Sequence, residues 1–177
     1  MAKLVYALLV GIIGAIIVHI CVLFMVPHFS ELNTWQRLVK TTGEYRFASL
    51  AKDNPITATT DPLFQLKVCR FNLDNGPVHI TAQATTPFWS MSVYDHNGVN
   101  FYSLNNHTMP DSKLDLVIGN AGQIMELKQE APENIEDAVL VSEDIGEGFV
   151  ILRSVKDKSR KDNNDFLSHA RCQALDY

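Results

Sequence analysis

The feature that most limits what this chain can become is an uninterrupted apolar run near its start. From Leu4 to Val26 the sequence reads LVYALLVGIIGAIIVHICVLFMV, 23 residues in which His19 is the only ionisable group in the physiological range. As a helix it would extend about 34 Å, enough for a hydrocarbon core of about 30 Å with some tilt. A secretory signal has a shorter apolar core and a small-x-small cleavage site, whereas this run continues into Val26, Pro27, His28 and Phe29. The sequence therefore predicts a retained transmembrane anchor over residues 1–29. Lys3 lies before the span, and the first basic residues after it are Arg37 and Lys40, so the flanking charge favours a cytoplasmic N-terminus.

Within the run, Ala7, Gly11, Ala15 and His19 recur at four-residue intervals and form one stripe along a helix. Small residues at such spacing allow close helix–helix approach, and a histidine in that contact avoids lipid. Alternatively, Gly and Ala are common in membrane helices, and His19 snorkels or bonds its own backbone.

With 177 residues in all, about 150 remain beyond the span, the size of one domain. Of the 15 Lys and Arg only Lys3 precedes the span, so the rest of the chain sets 14 of them against 20 Asp and Glu. That acidic balance excludes a counterion-releasing grip on nucleic acid and a polybasic grip on lipid. Cys21 lies in the span, leaving Cys69 and Cys172 as the one pair that could join in an oxidising compartment. Two unrelated buried thiols are the alternative. No CxxC or Cys/His spacing suggests a metal, and no cofactor motif occurs.

Residues 30–60 read as a juxtamembrane helix and linker. Ser30 is placed to cap a short helix with Trp35, Leu38 and Val39 on one side, Gly43 to stop it, and AKDNPITATTDP (Ala51 to Pro62) to form a loop that crosses between parts of a sheet. Residues 61–177 read as a β-rich domain. Leu63–Leu73 and Val78–Thr85 are predicted to pair as a hairpin around Asp74, Asn75 and Gly76. A second hairpin joins FWSMSVYD (Phe88 to Asp95) to VNFYSL (Val99 to Leu104) through an Asn97-Gly98 turn. Further strands are expected at Leu114, Gln123, Ala138 and Gly148, and a final helix after Asp165 that carries Cys172. Many short strands, with helices only at the ends, indicate an antiparallel β-sandwich or jelly roll.

The chain carries no nucleophile elbow, Walker loop, dinucleotide fingerprint or zinc-protease motif. Asn106, His107 and Thr108 form a glycosylation sequon. Acidic residues gather between Glu126 and Glu147 and basic ones between Arg153 and Lys161, a pattern expected of solvated loops. The most site-like segment is the second hairpin. Trp89, Tyr94, Tyr102 and Asn105 combine aromatic and amide groups of the kind that line a small-molecule pocket. The alternative is that the aromatics hold the sheet together and Asn105 terminates a strand.

The stretches DPLFQLKVCRFNL, GPVHITA and FWSMSVYDHNGVNFYSLNN, with Cys172 near the end, resemble the small membrane-anchored members of the bacterial domain family of unknown function DUF1254 and its sister DUF1214. The resemblance covers Asp61 to Cys172. It implies an inner-membrane protein with a periplasmic β-sandwich, often encoded beside a sister protein of similar plan, and it transfers no catalytic residue. The expectation is a non-enzymatic protein of envelope assembly or maintenance whose partner is another membrane protein. The competing expectation is a periplasmic ligand-binding or hydrolytic domain acting on an envelope glycan or lipid.

Overall fold

The computed structural model describes residues 2–50, 57, 61–83, 86–109, 113–130, 132, 135–155 and 165–175. Helix α1 spans Ala2–Thr41, about 60 Å of continuous helix. Its first part, Ala2–Val26, is long and apolar enough to cross a membrane and is exposed along its length. The separate juxtamembrane helix expected after Pro27 is instead the continuation of the same helix. A proline inside a helix removes one backbone hydrogen bond and favours a kink, but strong helical sequence on both sides keeps the element whole.

Nine strands follow among the described residues, in two sheets. The five-stranded sheet has the order β1 (Ala48–Ser49), β2 (Phe64–Asn72), β8 (Glu147–Val155), β4 (Trp89–Asp95), β5 (Asn100–Asn105). The four-stranded sheet has the order β7 (Val139–Ser142), β6 (Leu114–Gly119), β3 (Val78–Ala82), β9 (Arg171–Ala174). All pairs are antiparallel except β6 with β7. The mainly β sandwich read from the sequence is the fold of the chain.

Period-2 alternation builds the core. Cys69, Phe71, Trp89, Met91, Val150 and Leu152 of one sheet meet Val78, Ile80, Leu114, Leu116 and Ile118 of the other in a single buried cluster. The Cys69–Cys172 disulfide ties β2 to β9, and so joins the two sheets through the core. Gly148 on β8 is required by contact: a Cβ there would lie 2.6 Å from Phe71 Cζ and 2.7 Å from the Tyr94 carbonyl oxygen.

Several expectations are corrected. β2 and β3 do not form a hairpin. The 3-10 turn Leu73–Asn75 and Gly76, at φ 121°, carry the chain from one sheet to the other. Alternation alone cannot distinguish that crossing from a hairpin, because both present the same residues to the core. The expected strand at Gln123 is helix α2, Ala121–Gln129. Asn120 caps it by accepting the Gln123 N–H (2.9 Å), while Gln123 Oε1 accepts the Asn120 N–H (2.8 Å), a reciprocal capping box that outweighs the short apolar run. The final helix is short: α3 covers Asp165–His169, and Cys172 lies on strand β9 beyond it, recruited by the free edge of β3. The Ala51–Pro62 loop lies outside the described residues apart from Thr57, Asp61 and Pro62. The strands on either side of it, β1 and β2, are antiparallel neighbours. The β4–β5 hairpin forms as read, with Gly98 at φ 84° in the turn and a bulge between Val93 and Tyr94.

Candidate functional site

The four hairpin residues proposed for a pocket do not converge. Trp89 is fully buried and stacks on Phe166 of α3, with ring centroids 5.3 Å apart. Tyr102 pairs with Val93 and packs against the same inner core. Tyr94 lies on the opposite, outer face, stacked at 5.0 Å on Phe149. Asn105 pairs with Ser90, and so shares that outer face. The sheet therefore separates Trp89 and Tyr102 from Tyr94 and Asn105. Asn105 also builds a turn: its side chain accepts the His107 N–H at 2.9 Å, and its backbone N–H and C=O both engage Thr108 Oγ1. In the sequon, Asn106 Nδ2 donates to the Pro87 carbonyl at 3.2 Å. In the span, Ala7, Gly11, Ala15 and His19 all lie on exposed helix, with open space where a Gly11 side chain would project.

Two charged clusters that the sequence did not reveal occupy the outer faces of the two sheets. On the five-stranded sheet, Arg70 is 7% exposed and sits between β2 and the end of α1. Its guanidinium lies over the Trp35 ring, 5.1 Å from the centroid, pairs with Glu44 at 2.7 Å, and donates to the Thr42 carbonyl at 3.4 Å. Leu38 is completely buried there against Val68 and Phe149. Tyr45 then turns the chain at φ 53°, donating its N–H to the Arg70 carbonyl and its hydroxyl to the Asn72 carbonyl. Burial pushes its phenol pKa up, the backbone bond to Asn72 opposing this in part.

On the four-stranded sheet, His79 of β3 and Asp115 of β6 form a hydrogen bond of 2.8 Å, each side chain being 10% exposed. Lys113 reaches the second carboxylate oxygen at 2.9 Å. The hydrogen bond and charge of Asp115 raise the Lys113 pKa above its ordinary value. Beside this trio, helix α2 covers Val117 with Ile124 and Leu127. An imidazole fixed by a buried carboxylate is the arrangement used to orient a general base. Among the described residues no three His, Cys, Asp or Glu side chains gather as a metal site. At the sandwich end near α3, Lys67 donates to the Leu167 carbonyl at 2.7 Å, and burial lowers its pKa.

The signals for both clusters are spread too widely to see in one dimension. Trp35 and Arg70, or His79 and Asp115, are joined only by strand register and helix docking.

No family model matches the sequence, and no curated protein matches it. Among solved structures, the chain is similar to the VPA0106 protein of Vibrio parahaemolyticus, with a TM-score of 0.62 and 11% identity, over 83% of this chain and 35% of that one. It is also similar to an uncharacterised protein from Burkholderia cenocepacia, with a TM-score of 0.50 and 11% identity, over 73% of this chain and 34% of that one. The chain thus spans about a third of the length of each, and at such identity the likeness is one of fold.

Proposed function

We propose that this chain is a single-pass protein of the bacterial inner membrane, with its N-terminus in the cytoplasm and its sandwich in the periplasm, acting as a non-enzymatic interaction module of the cell envelope. The observation that carries the reading is helix α1, which runs from the apolar segment to Trp35 and Leu38 without a break. A cleaved leader has no reason to continue as helix into the folded domain. The Cys69–Cys172 disulfide supports an oxidising compartment. Membership of DUF1254 belongs to the same proposal, supported by the sandwich that the resemblance implied. The Ala7, Gly11, Ala15 and His19 stripe is the face through which a membrane partner, such as a sister protein of similar plan, would pack.

A reporter active only outside the cytoplasm, fused after Tyr177, is expected to be active, and the membrane-bound chain to retain residues 1–26. A mature chain lacking them, or activity of a cytoplasmic reporter, would overturn the reading. For the stripe, Gly11→Ile should weaken association in a membrane two-hybrid assay while Ile12→Leu does not. Equal association of both would remove the stripe from the proposal.

A second reading, a hydrolytic or ligand-binding domain, is favoured by the His79–Asp115 pair alone. It predicts that the purified full chain hydrolyses p-nitrophenyl acetate above the buffer rate and that His79→Gln abolishes this. A wild-type rate equal to buffer would dismiss it.

A further inference from the structure

We infer that Arg70 latches α1 to the sandwich, so that the domain is held in one pose at the end of the helix instead of swinging on a tether. This deepens the anchored reading of the chain, although the joint itself, residues 35–45 with Arg70, lies wholly beyond the apolar run.

The geometry is specific to a guanidinium. Arg70 faces outward on β2, opposite Phe149 of β8 and beside the apolar cluster of Leu38, Val68 and Phe149. Its guanidinium lies over the Trp35 ring, nearly two helical turns before the end of α1, while its nitrogens reach Thr42 and Glu44 just past that end. One side chain therefore grips the final turns of the helix at both ends of the docked stretch. The Thr42 carbonyl lies where the helix dipole concentrates negative charge, so a cation there is favoured. Thr42 Oγ1 donates back to the Leu38 carbonyl at 2.7 Å, closing the last turn beside it. Immediately afterwards Tyr45 N–H bonds the Arg70 carbonyl and Glu44 bridges to Arg70, so the chain is pinned to β2 as it leaves the helix. Among the described residues the buried Arg70 Nε meets no hydrogen-bond partner, and the terminal nitrogens and the face over Trp35 make the contacts. Lysine offers neither a plane nor a fork and cannot replace it.

A latched helix changes what the domain presents. The outer face of the five-stranded sheet around Val68 and Phe149 is closed by α1, so that patch is not open to a partner while the helix is latched.

The test measures pose directly. Full-length chain with Cys21→Ser, carrying nitroxide labels at Lys40→Cys and Val99→Cys, is placed in nanodiscs of phosphatidylethanolamine and phosphatidylglycerol, and the interlabel distance distribution is recorded. A single narrow distribution is expected, and Arg70→Met should at least double its width with the disulfide still closed. Trp35→Leu removes the ring from the helix side without touching the sheet, and should broaden the distribution likewise. Glu44→Gln should broaden it less. A broad wild-type distribution, or unchanged width in both Arg70→Met and Trp35→Leu, would overturn the latch. Loss of residues 1–26 from the mature chain would defeat the anchored reading and leave this result standing, because every residue of the joint would remain.

Discussion

Among the described residues, each sheet of the sandwich carries a polar cluster on its outer face, and the two clusters are organised in opposite ways. At the five-stranded sheet the base is central: Arg70 is 7% exposed, while its carboxylate partner Glu44 is 39% exposed. At the four-stranded sheet the acid is central, Asp115 being shared by His79 and Lys113. Arg70 also spends its guanidinium on a ring and a helix-end carbonyl, so Glu44 is one contact of several. Asp115 is the common acceptor for two donors. Burying a polar or charged side chain is costly unless it is partnered, and each cluster supplies the partners. One cluster specifies how a helix docks, and the other holds an imidazole in a set orientation. Four changes would break or sharpen that contrast.

The largest effect is expected from the element that keeps the two faces in one body. Replacing both Cys69 and Cys172 with alanine opens a loop whose ends are 103 residues apart. The chain-entropy account assigns such a bridge about 4 to 5 kcal/mol. Chemical denaturation under oxidising conditions should show a loss of this order. Equal stability would mean that the core alone holds the sheets together.

Next comes the helix side of the Arg70 face. Leu38 is fully buried against Val68 and Phe149, and Leu38→Ala should cost about 2 to 5 kcal/mol. Val39, its exposed neighbour, should tolerate alanine with a change of about 0.5 kcal/mol or less. If the two variants melt together, α1 does not dock in solution and the comparison loses one of its members.

The contrast between the pairs is tested by removing each acid. Asp115→Ala leaves the buried His79 ring without its partner and should cost about 1 to 3 kcal/mol. Glu44→Ala removes a half-solvated partner, and a figure of about 0 to 1 kcal/mol is expected from exposed ion pairs. Thermal unfolding of the two variants side by side decides it. The reverse ranking would show that Glu44, and with it the chain just past the helix, matters more than the guanidinium over Trp35.

What the sequence made legible followed from local chemistry. The apolar run, the β4–β5 hairpin with its Asn97-Gly98 turn, and the alternation of β8 each announce themselves within a few residues. Cys69 and Cys172 were readable as a pair by elimination. Elements decided by long-range contact were not. β9 is four residues long and is a strand only because β3 offers an edge. The β2-to-β3 step changes sheets without changing its pattern of buried residues. Helix α2 differs, since its cap, Asn120 with Gln123, is present in the sequence and outranks the short segment QIMEL that suggests a strand. The candidate site suffered most. An aromatic hairpin looks like a pocket in one dimension, but alternation places Trp89 and Tyr94 on opposite sides of the sheet.

The smallest effect concerns Lys113, the outermost member of the trio. Its ammonium is 53% exposed, and the hydrogen bond and charge of Asp115, with a lesser pull from Asp137, raise its pKa above 10.5. A base whose pKa is higher in the folded state stabilises that state fully below its unfolded value, and the contribution is lost as pH rises through the folded one. The stability difference between the wild type and Lys113→Met should therefore stay constant from neutral pH to about 9.5, and shrink above the ordinary lysine value of about 10.5. In an Asp115→Ala background the same comparison should be nearly flat, because the largest causes of the raised pKa are gone and only the lesser pull of Asp137 remains. A difference that persists undiminished at high pH would show that Lys113 acts through its aliphatic stem and not its charge. Asp115 would then serve His79 alone, and the four-stranded face would hold a simple pair, closer in kind to the Arg70 face than its geometry suggests.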